Sequence, residues 1–252
     1  MNLGYRTLAL AAWSVLATSA HADEALVAVA ANFAGAVEAI GAEFAKDTGH
    51  TIQITTGATG KLYAQIGEGA PFAILLSADA TTPAKLEVEG NAAAGTRFTY
   101  AVGKLSLWSA DQRRIGDDPK AALTASDTLH IAIANPGLAP YGVAAREALT
   151  ALGLWETIQP KIVMGENIGQ TFSMVDSGAA QMGFVATSAV EAPDKEPKGA
   201  RYDVPQELFK PIRQDAILLK AGEGNAAAIA FLDYLKGDKA KRIIASFGYG
   251  TE

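Results

Sequence analysis

Residues 55–66 read TTGATGKLYAQI. Within them, Gly57-Ala58-Thr59-Gly60-Lys61 places two glycines, a hydroxyl and a lysine directly ahead of an apolar helical pattern. This is the chemistry of an anion cradle. Glycines let backbone approach a ligand, N–H groups and a hydroxyl donate to its oxygens, and a helix start adds partial positive charge. A complete nucleotide-binding loop also needs a glycine five residues before the Gly-Lys pair and Ser or Thr after it. Thr55 and Leu62 occupy those places. The segment therefore suits an anion and fails as a nucleotide loop. Thr59 is expected to cap the helix, and Lys61, one step further in, to face solvent.

Three other segments share this chemistry: Ala31-Asn32-Phe33, Ala139-Pro140-Tyr141-Gly142 and Asn167-Ile168-Gly169-Gln170. Each follows an apolar run and opens a helical pattern. In open α/β sheets, ligands bind at the carboxyl ends of strands, where helix N-termini present unpaired N–H groups. Together the four loops offer hydroxyls, an amide, a phenol and backbone N–H groups. Lys61 is the one charge in them when the second loop is extended by a residue, and Glu166 adjoins the fourth. Protonated phosphate would want a carboxylate for its own O–H. An amino acid would want Arg and Asp, and none of the four loops carries either. A fully ionised tetrahedral oxyanion fits best.

The elements that must position these loops alternate. Strands are predicted at 26–30, 51–55 and 72–76, with helices after each: Phe33, Val37, Ile40 and Phe44 in the first, Leu62 and Ile66 in the second, and a short third from Thr82-Pro83 to Gly90. A long extended run covers 98–108. The pattern then restarts with strands at 129–134, 162–164 and 182–185 and helices from Pro140 and Ile168. Residues 191–205 read as a surface loop, 216–219 as a last strand, and two helices close the chain. Strand–helix alternation implies α/β architecture with mostly parallel sheets. The restart implies two lobes: 23–101 with 215–252, and 102–214. The chain then crosses twice between them, forming a hinge beside a cleft.

Composition narrows the setting. The chain has 252 residues, 49% hydrophobic and 19% charged, which suits one or two globular domains. Arg6, the apolar run 7–18 and Ala20-His21-Ala22 read as an export signal over 1–22, too short to span a bilayer. Its removal leaves 20 basic against 27 acidic residues, a net charge of −7. Such a surface is a poor partner for nucleic acid. With no cysteine there is no disulfide, thiolate nucleophile or lipid-bearing cysteine. A freely soluble periplasmic protein is expected.

Other constellations are weaker. Gly222-Glu223-Gly224-Asn225-Ala226-Ala227 matches G-x-G-x-x-A, but no strand and acid follow as a dinucleotide site requires. His50 and His130 lack partners for a triad or zinc site, and no G-x-S-x-G or H-E-x-x-H occurs. Ser77-Ala78-Asp79 has no base beside it. No enzyme, cofactor or bare-cation site is expected.

Val29-Ala30-Ala31-Asn32-Phe33, Thr59-Gly60-Lys61-Leu62-Tyr63-Ala64-Gln65-Ile66, Gly69-Ala70-Pro71, Ser77-Ala78-Asp79, Asn135-Pro136 through Tyr141-Gly142 and Tyr234-Leu235-Lys236-Gly237 occur in one order along the chain. In this the sequence resembles the periplasmic molybdate-binding proteins of ABC importers. The resemblance implies a type II periplasmic binding protein fold, two α/β lobes joined by a two-segment hinge with the ligand in the cleft. It also implies capture of molybdate or tungstate by a monomer that serves an importer permease and its ATPase. Carried over by position, it implies oxyanion contacts from Asn32, from the Thr59 hydroxyl, from the Ile168 backbone N–H and from Tyr141, with Ala31 contributing by backbone. Ala31 lacks a hydroxyl found in some relatives. Ala186 stands where many carry a ligand-touching Tyr, and Tyr141 is expected to supply that phenol instead. Sulfate, chromate or phosphate remains the alternative ligand, and a nucleotide or phosphoester enzyme the remoter one.

Overall fold

The computed structural model describes residues 22–116, 118–193 and 198–250. All but the last residue of the expected export signal lies outside them. Strand β1 (Glu24–Ala30) leads through a 3-10 turn (Ala31–Phe33) into α1 (Ala34–Thr48). Then come β2 (Thr51–Gly57), α2 (Thr59–Gly67), β3 (Ile74–Leu76), α3 (Thr81–Val88) and β4 (Phe98–Gly103). After these follow β5 (Leu105–Ser109), α4 (Pro119–Thr124), β6 (Ile131–Ala134), α5 (Pro140–Ala151), α6 (Trp155–Ile158) and β7 (Ile162–Gly165). The remainder is α7 (Ile168–Asp176), β8 (Met182–Ala186), α8 (Thr187–Val190), β9 (Ala200–Asp203), β10 (Ile212–Leu218), α9 (Ala226–Lys236) and α10 (Asp238–Ser246).

The strands form two five-stranded sheets, in the orders β2-β1-β3-β10-β4 and β7-β6-β8-β5-β9. The first is covered on both faces. Val27, Val29, Ile74 and Leu76 pack with Phe33, Val37, Phe44 and Phe231, while Ala28, Leu75 and Ile217 pack with Leu62, Ile66 and Leu86. Burial on both faces is why these strands read as unbroken apolar runs rather than alternating ones.

Several expectations are corrected. The sheets are mixed rather than mostly parallel: β10 runs antiparallel to β3 and β4, and β5 antiparallel to β8 and β9. The extended run 98–108 is two strands in different sheets. Gly103 pairs with Ile212 in the first sheet and Leu105 with Ala186 in the second, so the chain crosses at Lys104. β10 begins at Ile212, and Val102 and Gly103 belong to the first sheet, displacing both crossings from 101 and 215. Residues 200–203, expected in a surface loop, form the edge strand β9, because Arg201 and Tyr202 pair with Trp108 and Leu107. Short helices α4, α6 and α8 lack the length that makes a period readable. No helix among the described residues is long and apolar enough to cross a membrane.

Candidate functional site

The four loops meet. A cavity of about 10 Å³ between the sheets is lined by Ala30, Ala31 and Asn32 at the end of β1, Gly57, Ala58 and Thr59 at the end of β2, Ala139, Pro140 and Tyr141 at α5, and Asn167 and Ile168 at α7, closed by Ala78. It is small beside the ~300–1,000 Å³ of clefts for organic ligands. No lining residue is charged. The N-termini of α2, α5 and α7 open onto it. Thr59 and Ile168 are the first residues of their helices, so their backbone N–H groups have no intrahelical acceptor.

Thr59 does not cap α2. Ala58 holds the cap position without a side-chain bond, and the buried Thr59 Oγ1 accepts the Ala78 N–H at 3.1 Å. That bond anchors the oxygen and leaves the hydroxyl proton for another acceptor. Asn167, by contrast, does cap its helix, accepting the Gln170 N–H at 2.9 Å and fixing where Ile168 begins.

Tyr141 is buried, and its Oη accepts from Gln214 Nε2 at 3.1 Å. Burial, reinforced by the neighbouring Tyr249, pushes its phenol well above the usual tyrosine range, so it remains a donor at physiological pH. Asn32 Nδ2 donates to Gln214 Oε1 at 2.8 Å and to Tyr249 Oη at 3.1 Å, and Asn32 Oδ1 is buried without a partner. Sequence reasoning missed Gln214, Tyr249, Tyr100 and Ser188. Tyr249 Oη lies 2.7 Å from the Asn32 carbonyl and 3.0 Å from Ser188 Oγ, and Tyr100 Oη 3.1 Å from Gln214 Oε1. Each lies far along the chain from the loop it supports, and no local motif marks it. Ala186 is buried and does not line the small cavity. It lines a neighbouring one with Asn32, Ile168 and Ser188.

The second loop also seals the cleft. The Gly60 N–H donates to the Leu138 carbonyl at 2.9 Å, so it is engaged across the cleft rather than free. A Cβ at Gly60 would lie 3.1 Å from that oxygen, and glycine permits the approach. Lys61 is exposed, as expected, and pairs with Glu166 across the rim, both side chains half exposed. Ion pairs in that setting contribute ~0–1 kcal/mol. Lys61→Ala is accordingly expected to weaken ligand binding by less than about fivefold in calorimetric titration, the loss shrinking as salt rises.

The remaining motifs are structural. His50 Nδ1 accepts the Asp23 N–H at 3.0 Å, and the His130 N–H donates to Gln181 Oε1 at 2.7 Å. Asp79 accepts the Thr82 N–H at 2.7 Å at the start of α3. Asn225 caps α9 through the Ala228 N–H at 2.8 Å, which accounts for the G-x-G-x-x-A match. No group of three or more His, Asp and Glu among the described residues could hold a metal ion.

The bacterial extracellular solute-binding protein family matches residues 25–250. The chain is 49% identical over 238 residues to the molybdate-binding protein ModA of Azotobacter vinelandii, covering 94% of each. It is 49% identical over 244 residues to that of Rhodobacter capsulatus, covering 97% of this chain and 95% of the relative. The solved periplasmic molybdate-binding protein of A. vinelandii superposes with a TM-score of 0.87 at 41% identity, over 90% of this chain and 99% of that one. With two mixed α/β sheets facing a shared cleft and a family match over almost all of its described length, the chain belongs to the bacterial extracellular solute-binding proteins, whose work is binding rather than catalysis.

Proposed function

We propose that the protein captures molybdate in the periplasm, as the names of its relatives suggest, and delivers it to an ABC importer. The observation that carries this reading is the small uncharged cavity onto which three helix N-termini and the side chains of Thr59, Tyr141 and Asn32 converge. Donors without a carboxylate favour an oxyanion that carries no proton. Hydrogen bonds to a charged group contribute ~1.5–3 kcal/mol each. Six or seven would give a gross ~10–20 kcal/mol, of which association and closure offset several, leaving micromolar to nanomolar affinity.

In this reading Thr59 donates its hydroxyl, Tyr141 its phenol and Ile168 its backbone N–H, with the backbones of Ala31 and Asn32 completing the shell. Tungstate, with the same charge and shape, is a second ligand. The first lobe comprises 23–103 and 212–250, and the second 105–204, with hinge strands at Lys104 and across 205–211. Residues 1–22 direct export and are removed. The mature monomer docks on a permease served by its ATPase.

One observation favours a different oxyanion. The unpartnered acceptor Asn32 Oδ1 would suit a ligand O–H, as on monohydrogen phosphate. Calorimetric titration of the mature protein with molybdate, tungstate, sulfate and phosphate separates the readings. Molybdate and tungstate are expected to bind and phosphate not to. Absence of heat with both molybdate and tungstate would overturn the proposal.

A further inference from the structure

Gln214 is fully buried on β10, where the register with β4 slips: Gln214 pairs with Ala101 and Asp215 with Thr99. A bulge of this kind re-aims side chains, and Tyr100, the residue left over, brings its hydroxyl to Gln214 Oε1. The Gln214 amide thereby touches both lobes. Its Nε2 donates to Tyr141 Oη, and its Oε1 accepts from Asn32 Nδ2. Tyr141 and Asn32 both line the small cavity, one from each side of the cleft.

We propose that Gln214 is a positioning residue for the oxyanion: its amide ties the Tyr141 phenol and the Asn32 amide into one hydrogen-bonded chain, and its orientation decides which of the two sends a proton into the cavity. A phenol has one proton. With Nε2 toward Tyr141, that proton is free for the ligand, while both Asn32 N–H groups are engaged by Gln214 and Tyr249 and Oδ1 is left unpartnered. With the amide turned, Oε1 takes the Tyr141 proton and Nε2 faces Asn32. Asn32 must then turn Oδ1 to meet it, which carries its own N–H groups to the unpartnered position. Tyr100 supports either setting, because its one proton can go to Gln214 Oε1 or to the Ser77 carbonyl 3.0 Å away. Neither setting leaves Gln214 itself in contact with the ligand.

This inference rests on the proposed oxyanion reading, and the test separates the two. Molybdate is titrated into the wild type, Gln214→Glu and Gln214→Met, each also in a Tyr141→Phe background, at about pH 8 and about pH 5.5. An ionised glutamate has the shape of glutamine but only accepts. It captures protons from both Tyr141 and Asn32, so Gln214→Glu is expected to bind about tenfold or more weakly at the higher pH. Burial raises a carboxyl pKa, so at the lower pH the neutral acid again offers one donor and one acceptor, and affinity is expected to recover to within about threefold of wild type. Gln214→Met is expected to be weaker at both pH values without recovery. In the Tyr141→Phe background the Gln214 effects are expected to shrink, the signature of a shared interaction. Thermal melting confirms that each variant is folded. Wild-type binding with unchanged affinity in Gln214→Glu would overturn the inference and leave the oxyanion reading standing. So would a loss independent of pH and equal in both backgrounds. A wild type that binds no molybdate would overturn both.

Discussion

Thr59→Ala is expected to lower oxyanion affinity by about 10- to 150-fold, the equivalent of one hydrogen bond to a charged group at ~1.5–3 kcal/mol. The Thr59 oxygen accepts the Ala78 N–H at 3.1 Å, and no acceptor among the described residues takes its proton. The hydroxyl is thus oriented before the ligand arrives, and little ordering entropy offsets its contribution. Thr59→Ser keeps both roles and is expected to remain within about threefold of wild type. Alanine also leaves the buried Ala78 N–H without a partner, a further cost of ~1–3 kcal/mol to the folded state. Affinity by calorimetry and unfolding by thermal melting read the two losses separately. Ordering matters as much as size: a larger loss in Lys61→Ala than in Thr59→Ala would make the lysine, not the hydroxyl, the anion's partner.

Gly103→Ala is expected to damage stability and binding together. A Cβ there would sit 2.6 Å from Gln214 Nε2 and 2.9 Å from Tyr141 Cζ, and closer still to the Tyr141 hydroxyl. All of these atoms belong to buried side chains, so the added methyl displaces the contact between Tyr141 and Gln214 rather than water. Overpacking of this kind costs ~1–3 kcal/mol, or about 2–12 °C in melting temperature for a protein of this size. Affinity is expected to fall with it, because the phenol moves from the cavity wall. Tyr141→Phe removes the atom nearest the new methyl. Adding it to Gly103→Ala is expected to regain part of the lost stability and none of the affinity. A double variant no more stable than Gly103→Ala would show that the clash lies elsewhere.

Much of this was legible in the sequence because it is local. The helix spacing of Phe33, Val37, Ile40 and Phe44 and the apolar runs of β1, β6 and β8 report burial directly, since a period of 3.6 or a short unbroken apolar stretch is set by which face the chain must hide. The strand-to-helix loops carrying Asn32, Thr59, Tyr141 and Ile168 are short segments whose small and hydroxyl residues mark an anion's surroundings one loop at a time.

What the sequence alone determined, then, is two runs of α/β units, four donor-rich helix starts and a chemistry that excludes a nucleotide loop. Tertiary structure decided how those starts are supported and aimed. Asn32 and Gln214 are 182 residues apart, Tyr249 reaches Asn32 from 217 residues away, and Lys61 meets Glu166 across 105. Periodicity reports that a face is buried and is silent about what covers it. The register slip at Gln214, the passage between sheets at Lys104 and the bond from the Ala78 N–H to Thr59 depend on partners that only the folded chain brings within 3 to 4 Å. Hydrogen-bond direction is decided there too. A side-chain amide can be read from sequence, but which of its ends faces a phenol is a property of the packed network around it.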